Sequence, residues 1–488
     1  MIVIFLIVFW SLRILSNLMS YIQLWYIKEY RFDRMWIHLR TPQGKRWLFI
    51  PFRRMRVSPK TISLFIFSLS SLIIGYRLFT FSWWGRLLIL DVLTFPIVSF
   101  WVMLLRLPTL IYHELLIYLA TKKLRRHKFK SVIGITGSFG KTSTKEFLAT
   151  ILNQKYQVLK TAASQNSAIG IAELILNQLK PTHEILIVEM GAYKVGEIAR
   201  MCRIVRPQIG IVTAINAQHQ DLFQSLKNTF RAKYELIASL PSDGTAIFNA
   251  DNEYTLKMAK QAQKTIKQIL LYTKADPPER AEVQILQAKK VKATFETLEF
   301  AVSWGKETAR VKVPILGEHQ ISNILAAIAG AIASGMSLTQ AARGANQIKA
   351  ISKTMQKIGQ IKGATLIDDT FNNNPDAARA AIKFLGQTPG KRILVFQPMI
   401  ELGTHAELAH EEVGKLASQY CDQVYLTNSN YFEAFNKGVK SGLQTISVRV
   451  IPPQKAAVEI KSQLTTGDTV IFKGKEAERV LKELIKSV

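Results

Sequence analysis

Hydrophobic residues follow two different patterns along this chain, and the first is a set of long apolar runs. These runs cover residues 2–19, 62–81 and 87–105, and each approaches the roughly 20 residues that a helix needs to cross a bilayer. The first run has no basic start and no small-residue cleavage site, so the sequence predicts a retained anchor rather than a signal peptide. The alternative, a buried helical hairpin in a soluble protein, is disfavoured because the runs are long and rich in aromatic residues.

Basic residues flank the apolar runs and predict an orientation. Ten Lys and Arg residues lie between residues 28 and 60, and six lie between residues 122 and 130. By the positive-inside rule both segments are cytoplasmic. Runs two and three then form a hairpin with an outer turn at residues 82–86, and the chain from about residue 121 onward faces the cytoplasm. The stretch 110–120 is too short to span; it either lies along the membrane surface or extends the preceding helix.

The distribution of charge favours a membrane partner over a nucleic acid. The 488 residues have a formal charge of +29, of which residues 1–130 contribute +16 from 20 basic and 4 acidic residues. This excess lies beside the apolar runs, where it suits an anionic membrane surface, so nucleic-acid binding ranks last. Cys202 and Cys421 have no paired spacing and predict neither a disulfide framework nor a cysteine metal site.

From residue 131 the pattern changes to short apolar runs that alternate with amphipathic stretches, which is typical of a parallel α/β sheet. Strands are predicted at residues 132–136, 185–189, 209–215 and 245–249, and helices at 142–152 and 166–178. Residues 281–315 alternate apolar and polar positions and predict a small antiparallel excursion. A second α/β series follows, with strands predicted at residues 365–368, 393–396, 423–426 and 469–472.

The loop GSFGKTS at residues 137–143 lies between the first of these strands and a helix. Glycines let backbone amides converge on phosphate oxygens, and the helix N-terminus adds its dipole. Lys141 supplies a positive charge, and the Thr142 hydroxyl can ligate Mg²⁺. The spacing is not the strict Walker pattern, because Ile135 stands where the early glycine is expected and Gly137 takes over. The ATP-binding residues predicted in this loop are Gly137, Ser138, Gly140, Lys141, Thr142 and Ser143.

The variant Thr-Gly-x-x-Gly-Lys-Thr resembles the Mur ligase family, the ATP-dependent amide-forming enzymes of peptidoglycan precursor synthesis, and the resemblance extends from residue 132 to near the C-terminus. It implies a P-loop parallel-sheet ATPase domain plus a C-terminal Rossmann-like α/β domain, here preceded by an α-helical membrane region. The expected boundaries are 1–125 for the membrane region, 126–350 for the ATP-binding domain and 351–488 for the C-terminal domain.

Family segments downstream of the loop imply a metal site and catalytic residues. TAASQNSAIGIAELIL matches the segment that places Asn166 toward substrate, and IVEMGA ends a strand with Glu189 as a Mg²⁺ ligand. VTAINAQHQDLF and the following RAKYELI imply His219 as the ligand of a second Mg²⁺ and Lys233 as the lysine that the family commonly carbamoylates. The resemblance thus implies Lys141, Lys233 and His219 as catalytic residues, and Thr142, Glu189 and His219 as metal ligands.

Two further segments resemble the walls of the family's nucleotide site. FNADNE places Asn249 at the end of a strand, and GEHQISNILAAIAGA places His319 and Asn323 four residues apart on one helix face. In the family these segments contact adenine and neighbouring parts of ATP. A helix cap and a core face would explain the small apolar residues after Asn323, but not the His and Asn pair.

The last domain resembles the subgroup that adds D-alanyl-D-alanine. LIDDTFNNNPDAARAAIKFLG implies Asp369 as a contact to the ATP ribose, and Asn372 and Asn374 as substrate-binding residues. Three places depart from the subgroup: Lys353-Thr354 replaces Gly-Arg, Gln397-Pro398-Met399 replaces Gly-Asp-Met, and Lys473-Gly474-Lys475-Glu476 replaces Lys-Gly-Ser-Arg. These departures leave the ATP site intact but put the identity of the incoming amine in doubt.

The implied function is an ATP-dependent carboxylate–amine ligase that forms an acyl phosphate and then an amide, with ATP and Mg²⁺ as cofactors. The cytoplasmic stretch 27–60 is too short to form the UDP-sugar domain of soluble members. We therefore expect a muramoyl-peptide acceptor that is either UDP-linked or lipid-linked, membrane lipids as partners, and cell-wall synthesis proteins as further partners. The alternatives are a poly-γ-glutamate or cyanophycin-like amide ligase and a non-ligating membrane ATPase or scaffold.

Overall fold

The computed structural model describes residues 1–40, 44, 54–162, 165–216, 225–276, 283–400, 402 and 405–486. The chain divides into two compact units, Met1–Leu116 and Ile117–Val488. Each unit is described by itself below.

The first unit is helical and contains the predicted apolar helices. Its helices are α1 (Ile2–Ile27), α2 (Phe32–Arg40), α3 (Pro59–Leu78), α4 (Trp83–Leu104) and α5 (Arg106–Arg125), the last of which continues into the second unit. Ile2–Ile27, Pro59–Leu78 and the stretch Trp83–Arg125 are long and apolar enough to cross a membrane. Ser58 caps α3 by accepting the Thr61 N–H, with a reciprocal bond from the Ser58 N–H to the Thr61 hydroxyl.

Two details of the apolar hairpin differ from the prediction. The outer turn was expected at residues 82–86, but α4 already begins at Trp83 because Gly85 and Leu87 are buried on its packed face. The stretch 110–120 is helical within α5, which follows α4 after Leu105; whether it lies along the membrane surface stays a prediction.

The second unit opens with a nine-stranded sheet in the order β2-β3-β1-β4-β5-β6-β7-β8-β9. Its strands are β1 (Ser131–Thr136), β2 (Val158–Lys160), β3 (Ile185–Glu189), β4 (Ile209–Val212), β5 (Thr245–Asn249), β6 (Gln268–Thr273), β7 (Gln284–Ala293), β8 (Leu298–Trp304) and β9 (Glu307–Val313). Strands β1 to β7 pair in parallel, and β8 and β9 pair antiparallel at one edge. The predicted antiparallel excursion is therefore confirmed, as an extension of the same sheet.

Helices cover both faces of this sheet. They are α6 (Lys141–Leu152), α7 (Ala168–Gln178), α8 (Glu197–Val205), α9 (Leu226–Ala238), α10 (Glu253–Ala262), α11 (Gln320–Ala333) and α12 (Leu338–Ala345). α6, α11 and α12 pack on one face, and α7 to α10 pack on the other. Strand β1 is buried along its whole length, as expected for a central strand of a parallel sheet with helices on both sides.

A six-stranded sheet follows, in the order β10-β11-β15-β12-β13-β14. Its strands are β10 (Gln356–Ile361), β11 (Ala364–Asp369), β12 (Arg392–Phe396), β13 (Gln423–Leu426), β14 (Ser447–Val450) and β15 (Thr469–Lys473). Its helices are α13 (Pro375–Leu385), α14 (Ala406–Tyr420), α15 (Phe432–Lys440), α16 (Pro453–Gln463) and α17 (Ala477–Lys486). All pairs are parallel except β10 with β11. The two-part α/β fold that the sequence predicted is confirmed.

Candidate active site

The glycine-rich loop between β1 and α6 is held tightly by its neighbours. Gly137 and Gly140 have φ values of 150° and 80°, which glycine adopts far more readily than other residues. A Cβ atom at Gly137 would lie 2.0 Å from Thr213 Oγ1, and one at Gly140 would lie 2.4 Å from Asn323 Oδ1. A side chain at either glycine would therefore force the loop out of place.

Residues after β4 form one wall of this loop. The Ser138 N–H donates to Ala214 O at 2.7 Å, and the Asn216 N–H donates to Ser138 Oγ at 3.1 Å. Ala214 and Asn216 bond to Ser138 instead of continuing the strand, and β4 ends at Val212 rather than at the predicted residue 215. Ser143 is buried in the first turn of α6.

Lys141 is the first residue of α6 and lies over the loop. Its Nζ donates to Gly137 O at 2.8 Å and to Ser138 O at 3.2 Å. Burial lowers the pKa of Lys141, and the nearby Glu189 carboxylate partly offsets this effect. The loop thus presents an ammonium group together with a helix N-terminus, which is an arrangement suited to phosphate.

Thr142 and Glu189 form an oxygen pair beside Lys141. The Thr142 hydroxyl lies 3.0 Å and 3.2 Å from the two carboxylate oxygens of Glu189. Glu189 ends β3, which pairs with β1 in parallel, so the register brings it to the edge where the loop begins. The carboxylate residue is 2% exposed and offers the hard oxygen ligands that Mg²⁺ prefers.

Lys145 is a component of the site that the sequence reasoning missed. Its side chain is fully buried, and its Nζ lies 3.4 Å from Glu189 Oε2 and 3.3 Å from Glu146 Oε1. Lys160 pairs with Glu146 on its other side. Within the described part of the chain Lys145 Nζ makes no hydrogen bond. The available signal was its position four residues after Lys141, one helical turn further along the same face.

Lys233 is buried on α9, and the charges of Lys141 and Glu189 affect its pKa. Burial lowers the pKa of Lys233 from 10.5 to about 7, and the Lys141 ammonium contributes to this lowering. Glu197, Glu235 and Glu189 act in the opposite direction. A substantial fraction of this amine is therefore neutral near pH 7.

Asn166 lies beside Gly191, shortly after the end of β3, and Asn249 ends β5. Asn166 precedes α7, which begins at Ala168 rather than at the predicted residue 166; a Cβ at Gly191 would lie 2.9 Å from the Asn166 amide. Asn249 is buried at the end of β5, and its Nδ2 donates to Thr213 O at 3.0 Å. Both therefore lie along the edge that carries the phosphate-type loop.

His319 and Asn323 lie at the start of α11, as predicted. Asn323 contacts the loop at Gly140, and its Nδ2 donates to Gln320 Oε1 at 2.8 Å. Burial, the Lys473 ammonium and Lys274 together lower the pKa of His319 to about 4. His319 is therefore a neutral group at physiological pH.

Asp369 and Lys473 end adjacent strands of the second sheet and form a buried ion pair. Their side chains are 2.7 Å apart and both are nearly inaccessible. Burial raises the pKa of the Asp369 carboxyl, while Lys473 lowers it. The Lys473 ammonium also contributes to the lowered pKa of His319.

The loop after β11 contains Asn372, Asn373 and Asn374, which differ in their exposure to solvent. Asn372 is exposed, and its Oδ1 accepts the Asn373 N–H at 2.8 Å. Asn374 is 3% exposed, and its Oδ1 caps α13 by accepting the Ala377 N–H at 3.0 Å. Two residues further on, Asp376 accepts a hydrogen bond from Asn216 Nδ2, which links this loop to the wall of the phosphate-type loop.

The three departures from the subgroup have defined contacts. Lys353 forms an ion pair with Glu478 at 3.0 Å. Gln397 Oε1 accepts the Glu476 N–H at 2.9 Å. The Glu476 carboxylate accepts hydrogen bonds from the Thr427 hydroxyl at 2.9 Å and from Asn428 at 2.7 Å. His219, the remaining predicted site residue, lies outside the described residues.

Two α/β domains, a glycine-rich loop with an adjacent lysine, and a Thr–Glu oxygen pair define the class of ATP-using enzymes that handle phosphoryl groups. Family models agree and are more specific. The Mur ligase middle domain matches residues 135–331, and the Mur ligase glutamate ligase domain matches residues 355–476. The chain belongs to the Mur ligase family, whose members are ATP-dependent, amide-bond-forming ligases.

Individual relatives are similar across the same region. The UDP-N-acetylmuramoyl-tripeptide–D-alanyl-D-alanine ligase of Bacillus subtilis (strain 168) is 30% identical over 73% of this chain and 76% of its own length. The protein of that name from Escherichia coli (strain K12) is 34% identical over 59% of this chain, and the match spans less than two thirds of its own length, 62%. The MurF ligase of Thermotoga maritima in complex with ADP superposes with a TM-score of 0.67 at 27% identity, covering 77% of this chain and 85% of that one.

Proposed function

We propose that this chain is a membrane-anchored ligase that adds D-alanyl-D-alanine to a muramoyl-peptide acceptor. The observation that carries the proposal is the arrangement of Lys141, Thr142 and Glu189 around the glycine-rich loop at the end of the central strand. The names of the relatives point to the same reaction. The domain boundaries expected from the sequence, 126–350 and 351–488, belong to this proposal.

The proposed chemistry has two steps. A carboxylate oxygen of the acceptor attacks the γ-phosphorus of ATP, so that ADP leaves and an acyl phosphate forms. The amine nitrogen of the dipeptide then attacks the acyl carbon, inorganic phosphate leaves, and the nitrogen gives up a proton. Since phosphoryl transfer depends mainly on positioning and charge neutralisation, Lys141 and the loop amides are the groups that orient the phosphates and offset their charge.

The residues present fit Mg²⁺. The Thr142 hydroxyl lies 3.0 Å and 3.2 Å from the two carboxylate oxygens of Glu189, close enough for these oxygens to bind one ion. Mg²⁺ is typically held by one or two carboxylates together with substrate phosphates. Bound there, the ion would neutralise charge on the phosphoryl oxygens. Thr142, Glu189 and His219 are the proposed ligands, and Lys145 forms an ion pair with the Glu189 carboxylate.

Lys233 suits the carbamoylation proposed for it. Only a neutral amine adds CO₂, and the lowered pKa of about 7 leaves much of this amine neutral at physiological pH. The product would be an anion, which would relieve the repulsion between Lys233 and Lys141. We propose Lys233 as a catalytic residue in this modified form, with His219 and Lys141.

The remaining predicted residues divide between nucleotide and substrate. Asn249, His319, Asn323 and Asp369 are proposed to hold ATP, because they lie along the sheet edges that face the loop. Asn166, Asn372 and Asn374 are proposed for the peptide substrates; the helix-capping bond of Asn374 indicates that it acts by fixing the loop. Closure of the second α/β domain over ATP would bring the amine to the acyl phosphate.

Anchoring would hold the catalytic domains close to an acceptor that lies in the same membrane. Three helices have the length and composition to span, and the basic flanks predict that the catalytic domains face the cytoplasm. An enzyme held at the membrane encounters a membrane-borne acceptor at a raised effective concentration. We therefore propose a lipid-linked acceptor as the preferred form and a UDP-linked acceptor as the alternative.

Phosphate release by the detergent-solubilised full-length protein tests this function. ATP and Mg²⁺ are supplied with UDP-linked or lipid-linked muramoyl tripeptide, each with and without D-alanyl-D-alanine. We expect release only when peptide and dipeptide are both present, and none with Lys141→Met; Lys257→Met, which removes an exposed helix lysine, is the matched control. Release that ignores the dipeptide would favour a non-ligating membrane ATPase. No release at all would favour a ligase that needs another amine, as in the poly-γ-glutamate and cyanophycin-like ligases, or a scaffold without activity.

A further inference from the structure

The helical first unit contains a polar cluster that the ligase reaction does not use. Asp91 of α4 accepts on Oδ2 from Arg13 Nε at 2.8 Å and from Trp10 Nε1 at 3.2 Å, and on Oδ1 from Asn17 Nδ2 at 2.6 Å. We call these four residues the Asp91 cluster. Three donors from α1 converge on one carboxylate, which is how a charge in an apolar setting is stabilised.

The cluster lies deep along its helices. Arg13 comes about 17 Å after the start of α1 at Ile2, and Asp91 comes about 12 Å after the start of α4 at Trp83, at 1.5 Å per residue. If these helices span as proposed above, in a hydrocarbon core about 30 Å thick, the cluster is close to the middle of the bilayer. Ionisable residues at that depth are costly and usually functional.

Only part of the hydrogen-bonding capacity of Arg13 is satisfied among the described residues of the first unit. A guanidinium has five N–H donors, but among the described residues Arg13 forms a hydrogen bond through Nε alone. Its side chain is 55% exposed, whereas that of Asp91 is 10% exposed. Among the described residues the Nη groups make no hydrogen bond, so they offer donors that suit a carboxylate in two-point contact.

The part of α1 before Arg13 also has little packing. Ile2, Phe5, Phe9 and Leu12 are each at least 59% exposed. From Ile14 onward the helix is packed against its neighbours, with Leu18 and Ile22 fully buried, for example. Trp10 and Arg13 hold this half-helix to α4 through Asp91, while its exposed apolar side chains and its partly paired arginine are available to another transmembrane helix.

We propose that residues 2–13 of α1 form an interaction surface for a transmembrane helix of another protein that carries a carboxylate at mid-membrane depth. This inference rests on the proposed membrane anchoring. A second copy of the chain fits less well, because α1, α3 and α4 contain no acidic residue other than Asp91, which already accepts three hydrogen bonds within its own unit. Lipid phosphates lie at the membrane surface, and an arginine that moved to reach them would have to leave Asp91.

A synthetic transmembrane peptide with a single carboxylate is the probe for this surface. Full-length protein is reconstituted into phosphatidylcholine vesicles with a labelled leucine–alanine transmembrane peptide that has Glu at its centre, or Gln in the control peptide. Energy transfer then reports association. We expect the Glu peptide to bind about three- to tenfold more tightly than the Gln peptide, in line with polar contacts between membrane helices.

Matched variants assign the effect to Arg13. Arg13→Leu should abolish the preference, and Arg13→Gln, which keeps a donor for Asp91 but loses the charge, should abolish it as well. Arg86→Leu, at the start of α4, should leave it intact. Equal binding of the Glu and Gln peptides by the wild-type protein would overturn the proposal. Loss of the preference for the Glu peptide when phosphatidylglycerol is added would also overturn it, and so would self-association of the protein that depends on Arg13. Failure of the protein to float with vesicles would overturn the anchoring and this inference together, while ligase activity in detergent would still stand.

Discussion

At the scale of single residues, the site is governed by how buried charges compensate one another. Lys160, Glu146, Lys145 and Glu189 form a chain of alternating charge that reaches Thr142. Each buried charge is tolerable because the next one has the opposite sign. The position of the Glu189 carboxylate therefore depends on Lys145, which lies outside the glycine-rich loop in sequence.

Lys145→Met should lower the free energy of unfolding by about 3 kcal/mol, because it leaves the buried Glu189 without its cation. Denaturant unfolding of the full-length protein in detergent measures this. Lys257→Met, which breaks an exposed pair with Glu253, is the matched control and should change little. Equal effects of the two substitutions would show that the buried network contributes nothing.

Lys233 should make stability depend on pH in a known direction. Its pKa falls from 10.5 in an unstructured chain to about 7 in the folded protein, so between these values the unfolded chain holds a proton that the folded chain has lost. The free energy of unfolding should therefore rise with pH from 7 to 10. Thermal unfolding in CO₂-depleted buffer should show a flatter rise for Lys233→Met than for Lys227→Met, an exposed lysine of the same helix; identical slopes would contradict the lowered pKa.

At the scale of elements, the glycine-rich loop owes its shape to close approach rather than to glycine flexibility alone. Gly140 and Gly196 both precede a helix with left-handed φ values, 80° and 97°. A Cβ at Gly140 would meet Asn323, whereas one at Gly196 would meet nothing within 4 Å. Substitutions at Gly140 and Gly196 should therefore impose a similar backbone strain, but only the one at Gly140 should also cause a steric clash.

Gly140→Ala should weaken ADP binding by at least about tenfold, because the loop must move away from Asn323. Gly196→Ala should bind ADP normally, while both variants lose roughly 1 kcal/mol to the left-handed backbone. Isothermal titration with ADP and thermal unfolding provide the two measurements. Normal ADP affinity in Gly140→Ala would mean that the loop accommodates a side chain and that the contact is unimportant.

The sequence predicted strands best where a short apolar run ended in a polar side chain. The strands at residues 185–189 and 245–249 were placed to the residue because each is a short apolar run that ends in a polar side chain. β2, β10 and β14 were missed because they are short, polar or at sheet edges, and β6 was also missed although it is mostly buried. Lys145 was missed because its spacing from Lys141 indicates only a shared helix face, whereas its burial beside Glu189 depends on how β3 and α6 pack together.

At the scale of the whole molecule, the proposal joins an apolar helical unit to cytoplasmic catalytic domains, and cysteine labelling tests that arrangement. Burial raises the pKa of Cys202 to about 12 and raises that of Cys421 as well, so the native thiols should react slowly. Ser82→Cys should react with an impermeant maleimide on intact cells, and Lys440→Cys only after permeabilisation. The opposite pattern would reverse the orientation, and labelling of both on intact cells would exclude the anchor.

The most direct test of the central claim follows oxygen atoms. An acceptor peptide labelled with ¹⁸O in both oxygens of the reacting carboxylate is incubated with the full-length protein, ATP, Mg²⁺ and D-alanyl-D-alanine, and the products are analysed by mass spectrometry. The account predicts an amide product that keeps one ¹⁸O and inorganic phosphate that carries the other. Phosphate without ¹⁸O, or ATP turnover without an amide product, would contradict it.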